Sequence, residues 1–286
     1  MRDLASSSIF SKYLIHSAAI LCKRLPLLSR TGGKLSGMVF GKLSATPLRK
    51  LPGIQPISKR GNTMLQHNTI VSGFILVNDA ATNAALTAAK GTIGADEWKK
   101  GYSEERCKIA RSTLKTANVP VQYKLTGPIT KVSTTETKDG EGNVYRKVRV
   151  ALGNDRSSPI LSLDVGTEFC ERLLPKLGAA VAIHGIGAEV TITCFPDVVE
   201  RDGRTFVNHV ASVKINGEEV KATKPHFQLV AQAATTASDA LVAAGVKDKK
   251  ALNAVKASAK EEYFYALAQK LSGLFPSSED RSESAA

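Results

Sequence analysis

The sequence has few of the residues from which catalytic and metal sites are usually built. Its 286 residues include four cysteines, five histidines and one tryptophan. No two cysteines have the C-x-x-C spacing of a zinc or redox site. No H-E-x-x-H, G-x-S-x-G or P-loop motif occurs. We therefore expect a protein that is not an enzyme and that has no metal or other cofactor. Its thiols should be reduced, as they are in the cytoplasm.

A long apolar run is also absent. The run Tyr13–Cys22 in the N-terminal part is shorter than the about 20 residues that cross a bilayer. It has no clear small-residue cleavage site close behind it, so a secretory signal fits poorly. We expect no membrane partner.

Acidic residues are almost missing from residues 1–63, which hold 11 Lys or Arg and one acid, Asp3. This segment carries most of the net charge of +13. One interpretation is a mitochondrial transit peptide, which would place the protein in the mitochondrial matrix. The other is an over-long start, with the protein beginning at Met64, where a regular sequence follows at once. We favour the second interpretation and expect residues 1–63 to be disordered in either case.

Residues 64–119 predict one strand and two helices. The apolar run Thr69–Val77 predicts the strand, and Asn78 and Asp79 favour a helix start. The Ala-rich segment Ala80–Lys90 predicts the first helix, and a second is expected from about Asp96 to Lys115. We expect Trp98 to be a packing anchor rather than a stacking platform.

Residues 221–275 predict two further helices. The Ala-rich segment Phe227–Ala244 ends at Gly245, and Asp248 is placed to cap the helix Lys249–Leu271. Apolar residues recur in that helix every three to four positions, so one stripe should be buried. We expect the Ser- and acid-rich tail, residues 276–286, to be disordered. The stripe consists of Leu252, Val255, Ala259, Tyr263, Ala266, Leu267 and Leu271.

Residues 120–220 have the clearest pattern in the chain. Five segments predict strands, and the amphipathic segment Glu168–Leu177 predicts a helix between the third and the fourth. The connections at residues 138–143 and 197–203 carry the Gly, Asp and Asn that hairpin turns need. The predicted strands are Gln122–Val132, Val144–Leu152, Pro159–Asp164, Glu189–Phe195 and Arg204–Ile215.

Five strands with one helix after the third is the element order of an OB-fold. The segment resembles the single-stranded-nucleic-acid-binding proteins of that family, and the resemblance covers about a third of the chain. It implies an α+β fold, with a five-stranded OB-like β-barrel between helical flanking segments. It also implies that nucleic acid lies on the face of strands two and three.

Side-chain alternation gives the expected site residues. In Val144–Leu152, Val148 and Val150 should point into the core while aromatic and basic residues point away from it. Exposed aromatic rings stack on bases, and nearby cations follow the phosphates. The alternative is an ordinary solvated strand face, or packing under the flanking helices. The candidate nucleic-acid-binding residues are Tyr145, Lys147, Arg149, Phe195, Arg204, Phe206 and Lys214.

These observations favour a non-catalytic single-stranded DNA-binding protein that protects or presents DNA in replication or recombination. We expect its source to be a bacterial mobile element or phage. A structural protein, whose barrel and helices form an assembly surface without nucleic acid, is the second hypothesis. A mitochondrial RNA-binding protein is the third, should the leader be genuine. Single-stranded nucleic acid is the expected partner, together with a homo-oligomer formed through the C-terminal helices.

Overall fold

The computed structural model describes residues 63–276, apart from 139, 140, 142 and 156. Within these residues the chain forms eight strands and six helices, an α+β fold. The expectations for residues 1–62 and 277–286 lie outside the described residues. The strands are β1 Met64–Asn68, β2 Gly73–Leu76, β3 Lys124–Lys138, β4 Val144–Leu152, β5 Ile160–Asp164, β6 Glu189–Arg201, β7 Arg204–Ile215 and β8 Glu218–Glu219, and the helices are α1 Ala80–Ile93, α2 Ala95–Lys99, α3 Glu104–Thr116, α4 Glu168–His184, α5 His226–Ala243 and α6 Lys249–Ser272.

Side-chain caps start several of the helices. Asp79 accepts a hydrogen bond from the backbone N–H of Thr82 at the start of α1. Ser103 and Thr167 do the same for α3 and α4. Asp248 accepts from two backbone N–H groups of α6, so its predicted capping role is confirmed. Such caps satisfy N–H groups that have no partner within the helix.

Two predicted elements in residues 64–119 are wrong. The expected strand Thr69–Val77 is a hairpin instead, in which β1 and β2 flank a turn at residues 69–72. The Asn68 side chain accepts from the Val71 N–H at 2.9 Å, which stabilises this turn. The expected second helix is broken into α2 and α3, because Gly101 has a φ of 78°, outside the helical region.

The strands form one open sheet in the order β2-β1-β5-β4-β3-β6-β7-β8, so the predicted closed five-stranded barrel is wrong. β1 pairs with β5 in parallel and so occupies the edge that a closing strand would need. Before the two residues of β7 that pair with β8, backbone groups on its outer edge are hydrogen-bonded by side chains of α4. Glu168 accepts from the His209 N–H at 3.2 Å, and Lys176 donates to the Ala211 carbonyl at 2.8 Å.

β3 connects the two halves of the sheet. Its first five residues pair with β6, and the rest, apart from a bulge at Thr130, pair with β4. The change of partner requires a close approach at Gly127, where a Cβ atom would lie 2.8 Å from the carbonyl oxygen of Leu152. Gly127 therefore allows one strand to belong to both halves. The sheet also curls, since an isolated bridge joins Phe74 of β2 to Gln122, just before β3.

The main core lies between the inner face of this sheet and the helices α4 and α6. Val148, Val150 and Leu152 are buried, as the alternation in β4 predicts. The C-terminal half of the predicted α6 stripe packs here, with Leu271 buried and Leu267 partly buried. This half of the stripe is therefore buried by other parts of the same chain.

A second, smaller core lies under α1 and α3. It contains Ile75 of β2, Ala89 of α1 and Leu114 of α3, all buried. Trp98 is partly buried against it, so its predicted packing role is confirmed.

The three cysteines of the described part, Cys107, Cys170 and Cys194, are free and buried. Burial raises the pKa of Cys194 to about 12. These thiols are therefore protonated and inert at neutral pH.

Phe264 of α6 provides a test of this packing because its side chain is fully buried in the main core. Phe264→Ala should lower the free energy of unfolding by about 3–5 kcal/mol. Phe227→Ala is the matched control, since Phe227 is more than half exposed on α5. Urea denaturation of both variants measures this loss of stability. An equal loss in the two variants would contradict the docking of α6 on the sheet.

Candidate nucleic-acid interface

Three of the predicted site residues lie on the outer face of β4, the face that points away from the main core. Tyr145 is 50% exposed, and Lys147 and Arg149 are partly buried. The neighbours Val148 and Val150 point into the core, so the predicted alternation is confirmed.

The two cations on this face are both partly buried. Lys147 Nζ lies 2.9 Å from Oδ1 of Asp164, and Gln66 donates to Oδ2 of the same carboxylate. The Nε of Arg149 is buried and has no hydrogen-bond partner among the described residues. A side chain that follows phosphates needs an exposed and available charge. The outer face of β4 therefore offers an exposed ring but little available positive charge.

The other four predicted residues belong to β6 and β7. These strands continue beyond the core as a two-stranded ribbon, residues 195–210, which pairs from Phe195↔Val210 to Arg201↔Arg204. Asp202 and Gly203 form its turn with φ values of 53° and 68°, which is typical of a two-residue hairpin turn. The predicted connection at 197–203 is therefore mostly strand. The predicted connection at 138–143 lies partly outside the described residues.

The outer face of the ribbon carries aromatic and basic side chains together. Directly opposite residues point to the same side of an antiparallel pair, so Val199 and Phe206 share this face. Phe195 and Phe206 are 47% and 49% exposed. Arg204 at the tip and Lys214 near the base are also exposed on this face. The four predicted residues of β6 and β7, unlike the three of β4, therefore combine exposed rings with exposed cations.

The structure does not bring the two groups together. Thr193, two residues before Phe195, pairs with Lys124 at one end of β3, whereas Tyr145 pairs with Thr137 near the other end. At about 3.3 Å per residue, these positions are about 40 Å apart along the strand. One short segment of nucleic acid therefore cannot use both groups through the same contacts.

Sequence reasoning missed Val199 and Arg201 of the ribbon face, and Lys124 of β3 beside its base. Lys124 is exposed opposite Thr193, and the other two lie in the part of β6 beyond its predicted end. The Asp202-Gly203 dipeptide was the available signal, since Asp-Gly between strands indicates a two-residue hairpin.

Two histidines anchor the base of the ribbon on its inner face. His209 of β7 lies 5.5 Å from His67 of β1, measured between ring centroids. His67 stacks on Phe169 of α4 at 4.2 Å. Nε2 of His67 and Nδ1 of His209 are buried and have no hydrogen-bond partner among the described residues. These rings hold β1, α4 and β7 together where no strand pairing does so.

This environment favours neutral imidazoles. Burial, with His209 close by, lowers the pKa of His67 to about 3. Burial also lowers the pKa of His209, although the Glu168 carboxylate raises it. A proton added to either ring would place an unpaired charge in the core.

Stability should therefore decrease as the pH falls from 6.5 toward 3. The unfolded chain binds a proton at His67 that the folded chain does not, which contributes up to about 1.4 kcal/mol per pH unit. His67→Phe retains the stacking on Phe169 and should flatten this slope. His184→Phe, at an exposed position of α4, is the control. Urea denaturation across this pH range checks the result, and an unchanged slope for His67→Phe would contradict a neutral His67 in the folded state.

Two other kinds of site are absent from the described part of the chain. No group of three or more His, Cys, Asp or Glu side chains there is arranged to hold a metal ion. None of the described helices has the length and apolar character needed to span a membrane.

Comparisons with protein-family models, with curated proteins and with solved structures found no match to this chain. The resemblance to single-stranded-nucleic-acid-binding OB proteins therefore stays a prediction.

Proposed function

We propose that the protein binds single-stranded DNA, without catalysis, on the outer face of the ribbon. The observation that carries this proposal is the exposure of Phe195 and Phe206 on the same strand face as Arg204 and Lys214. Single-strand binders combine aromatic stacking with cations that follow the backbone.

The two phenylalanine rings have the accessibility that stacking requires. Each is about half exposed, although a large aromatic side chain gains from burial. About half of each ring is therefore open to a ligand. Each base stacked on such a ring contributes about 1–3 kcal/mol to binding, and all four bases can stack in this way. We therefore propose binding with little sequence preference.

Arg204 of the ribbon is more available than the cations of β4, while Lys214, just below the ribbon, lies opposite Glu219 of β8. Neither Arg204 nor Lys214 has an ion pair within 4.0 Å among the described residues, whereas Lys147 is paired with Asp164. Arg204 and Lys214 lie about 33 Å apart along β7 at about 3.3 Å per residue. They flank the two rings, so a strand stacked on the rings would meet a cation at each end.

Removing either ring should weaken DNA binding. Phe195→Ala and Phe206→Ala should each raise the Kd for oligo-dT by about 5- to 150-fold, corresponding to about 1–3 kcal/mol per base. Fluorescence titration with a labelled oligonucleotide measures this. Both changes are at exposed positions, so thermal unfolding should change little.

Tyr145→Ala is the matched control, because this ring is equally exposed but lies about 40 Å away along β3. It should leave the Kd nearly unchanged. A larger loss for Tyr145→Ala than for the two ribbon variants would place the site on β4 and contradict the proposal.

The salt dependence of DNA binding should show the contribution of each cation. Arg204→Ala and Lys214→Ala should each reduce the slope of log K against log salt by about 0.7, the single-strand value for one phosphate contact. Lys147→Ala should alter the slope less, because its charge is paired with Asp164. Titrations at several salt concentrations check this prediction, and unchanged slopes for both ribbon variants would contradict it.

A further inference from the structure

The β6 edge of the ribbon has no partner in the described chain. β3 pairs with β6 only as far as Thr193, whereas β6 continues to Arg201. Val198 and Val199 on this edge strand are 53% and 40% exposed. An exposed apolar edge strand is a template for pairing with another chain.

The hairpin geometry shows which backbone groups are available on this edge. Arg201 and Arg204 close a two-residue turn, so they form a hydrogen-bonded pair. Hydrogen-bonded pairs alternate along the ribbon, so Val199 also bonds to β7. The backbone groups of Val198 and Glu200 then point outward. Pro196, which has no N–H, also occupies an outward position, as expected on an edge.

The side chains of this edge are complementary to themselves. Asp197 and Arg201 lie on the outer face, two residues before and after Val199. If two β6 edges pair antiparallel about Val199, each Asp197 lies opposite Arg201 of the second copy. In the same register Val198 lies opposite Glu200, and the outward groups of both can form hydrogen bonds. A twofold axis at Val199 thus pairs the outward backbone groups of the two copies and places each Asp197 opposite an Arg201.

The β7 edge of the ribbon does not offer the same pairing. The His209 N–H on that edge is already bonded to Glu168 of α4. Antiparallel pairing about Phe206 would place Arg204 opposite Asn208, without an opposite charge. The charge pattern therefore selects the β6 edge.

We propose that two copies of this chain associate through their β6 edges, about a twofold axis at Val199. The two ribbons then form a continuous four-stranded sheet, in which Val198 and Val199 are covered. This proposal does not rest on DNA binding, because it is argued from the unpaired backbone and the charges of the β6 edge.

Sedimentation equilibrium of the full chain, without nucleic acid, tests the proposal. Wild type should be a dimer in reversible equilibrium with monomer. Val198→Pro removes an outward N–H without breaking a bond to β7, and should make the protein monomeric. Thr205→Pro is the matched control, because Thr205 occupies an outward position on the β7 edge. It should leave the dimer intact.

Charge reversal tests the register even if a proline variant fails to fold. Asp197→Arg and Arg201→Asp should each weaken dimerisation about tenfold or more, since both place like charges opposite each other. The double variant Asp197→Arg/Arg201→Asp should restore it. A monomeric wild type, a dimeric Val198→Pro or a double variant no better than the single ones would overturn the proposal.

Discussion

The parallel pairing of β1 with β5 is the constraint on which the rest of the arrangement depends. Leu65 lies opposite Leu161, and both side chains are buried in the main core. Because β1 occupies this edge, β7 has no long strand to pair with beyond β6. Buried backbone groups must still find partners. The unpaired backbone groups on that edge of β7 therefore need other hydrogen-bond partners, and side chains of α4 provide them.

α4 consequently bridges β7 and β1, two strands that do not pair with each other. Its apolar face, with Phe169 and Leu173, is buried in the main core, while Glu168 and Lys176 bond to the backbone of β7. Glu171 of the same helix is 1% exposed and lies 2.7 Å from Lys260 of α6. Burial raises the pKa of Glu171, and the Lys260 ammonium lowers it. Such a buried charge requires its partner, so α4 and α6 are held in a defined relation.

The ribbon and the outer face of β4 have similar compositions but different environments. Both alternate aromatic and basic side chains with apolar ones, so both match the pattern of a single-strand binder. On β4, Asp164 from the neighbouring strand neutralises Lys147. On the ribbon, which extends beyond the core, Arg204 and Phe206 are exposed. The position of each strand relative to the core, rather than its own sequence, produces this difference.

Alternation and turn chemistry were sufficient to predict much of the local structure. β4 and β7 begin and end where their patterns predict, and the buried residues of β4 are those assigned to the core. Alternation could be predicted because the direction of a side chain along a strand is a local property. The same holds for the start of α6 at Asp248, since a cap depends on the next few residues.

The tertiary structure decided which strands pair and where they end. β1 and β5 are far apart in the chain, so no local pattern indicates their contact or the open sheet that results. β6 extends beyond Phe195 through Pro196 and Asp197, two residue types that are rare in strands. Pairing with β7 outweighs that preference, because a ladder contributes hydrogen bonds and packing that propensity does not include. Only this extension creates the ribbon, and with it both the exposed rings and the free β6 edge.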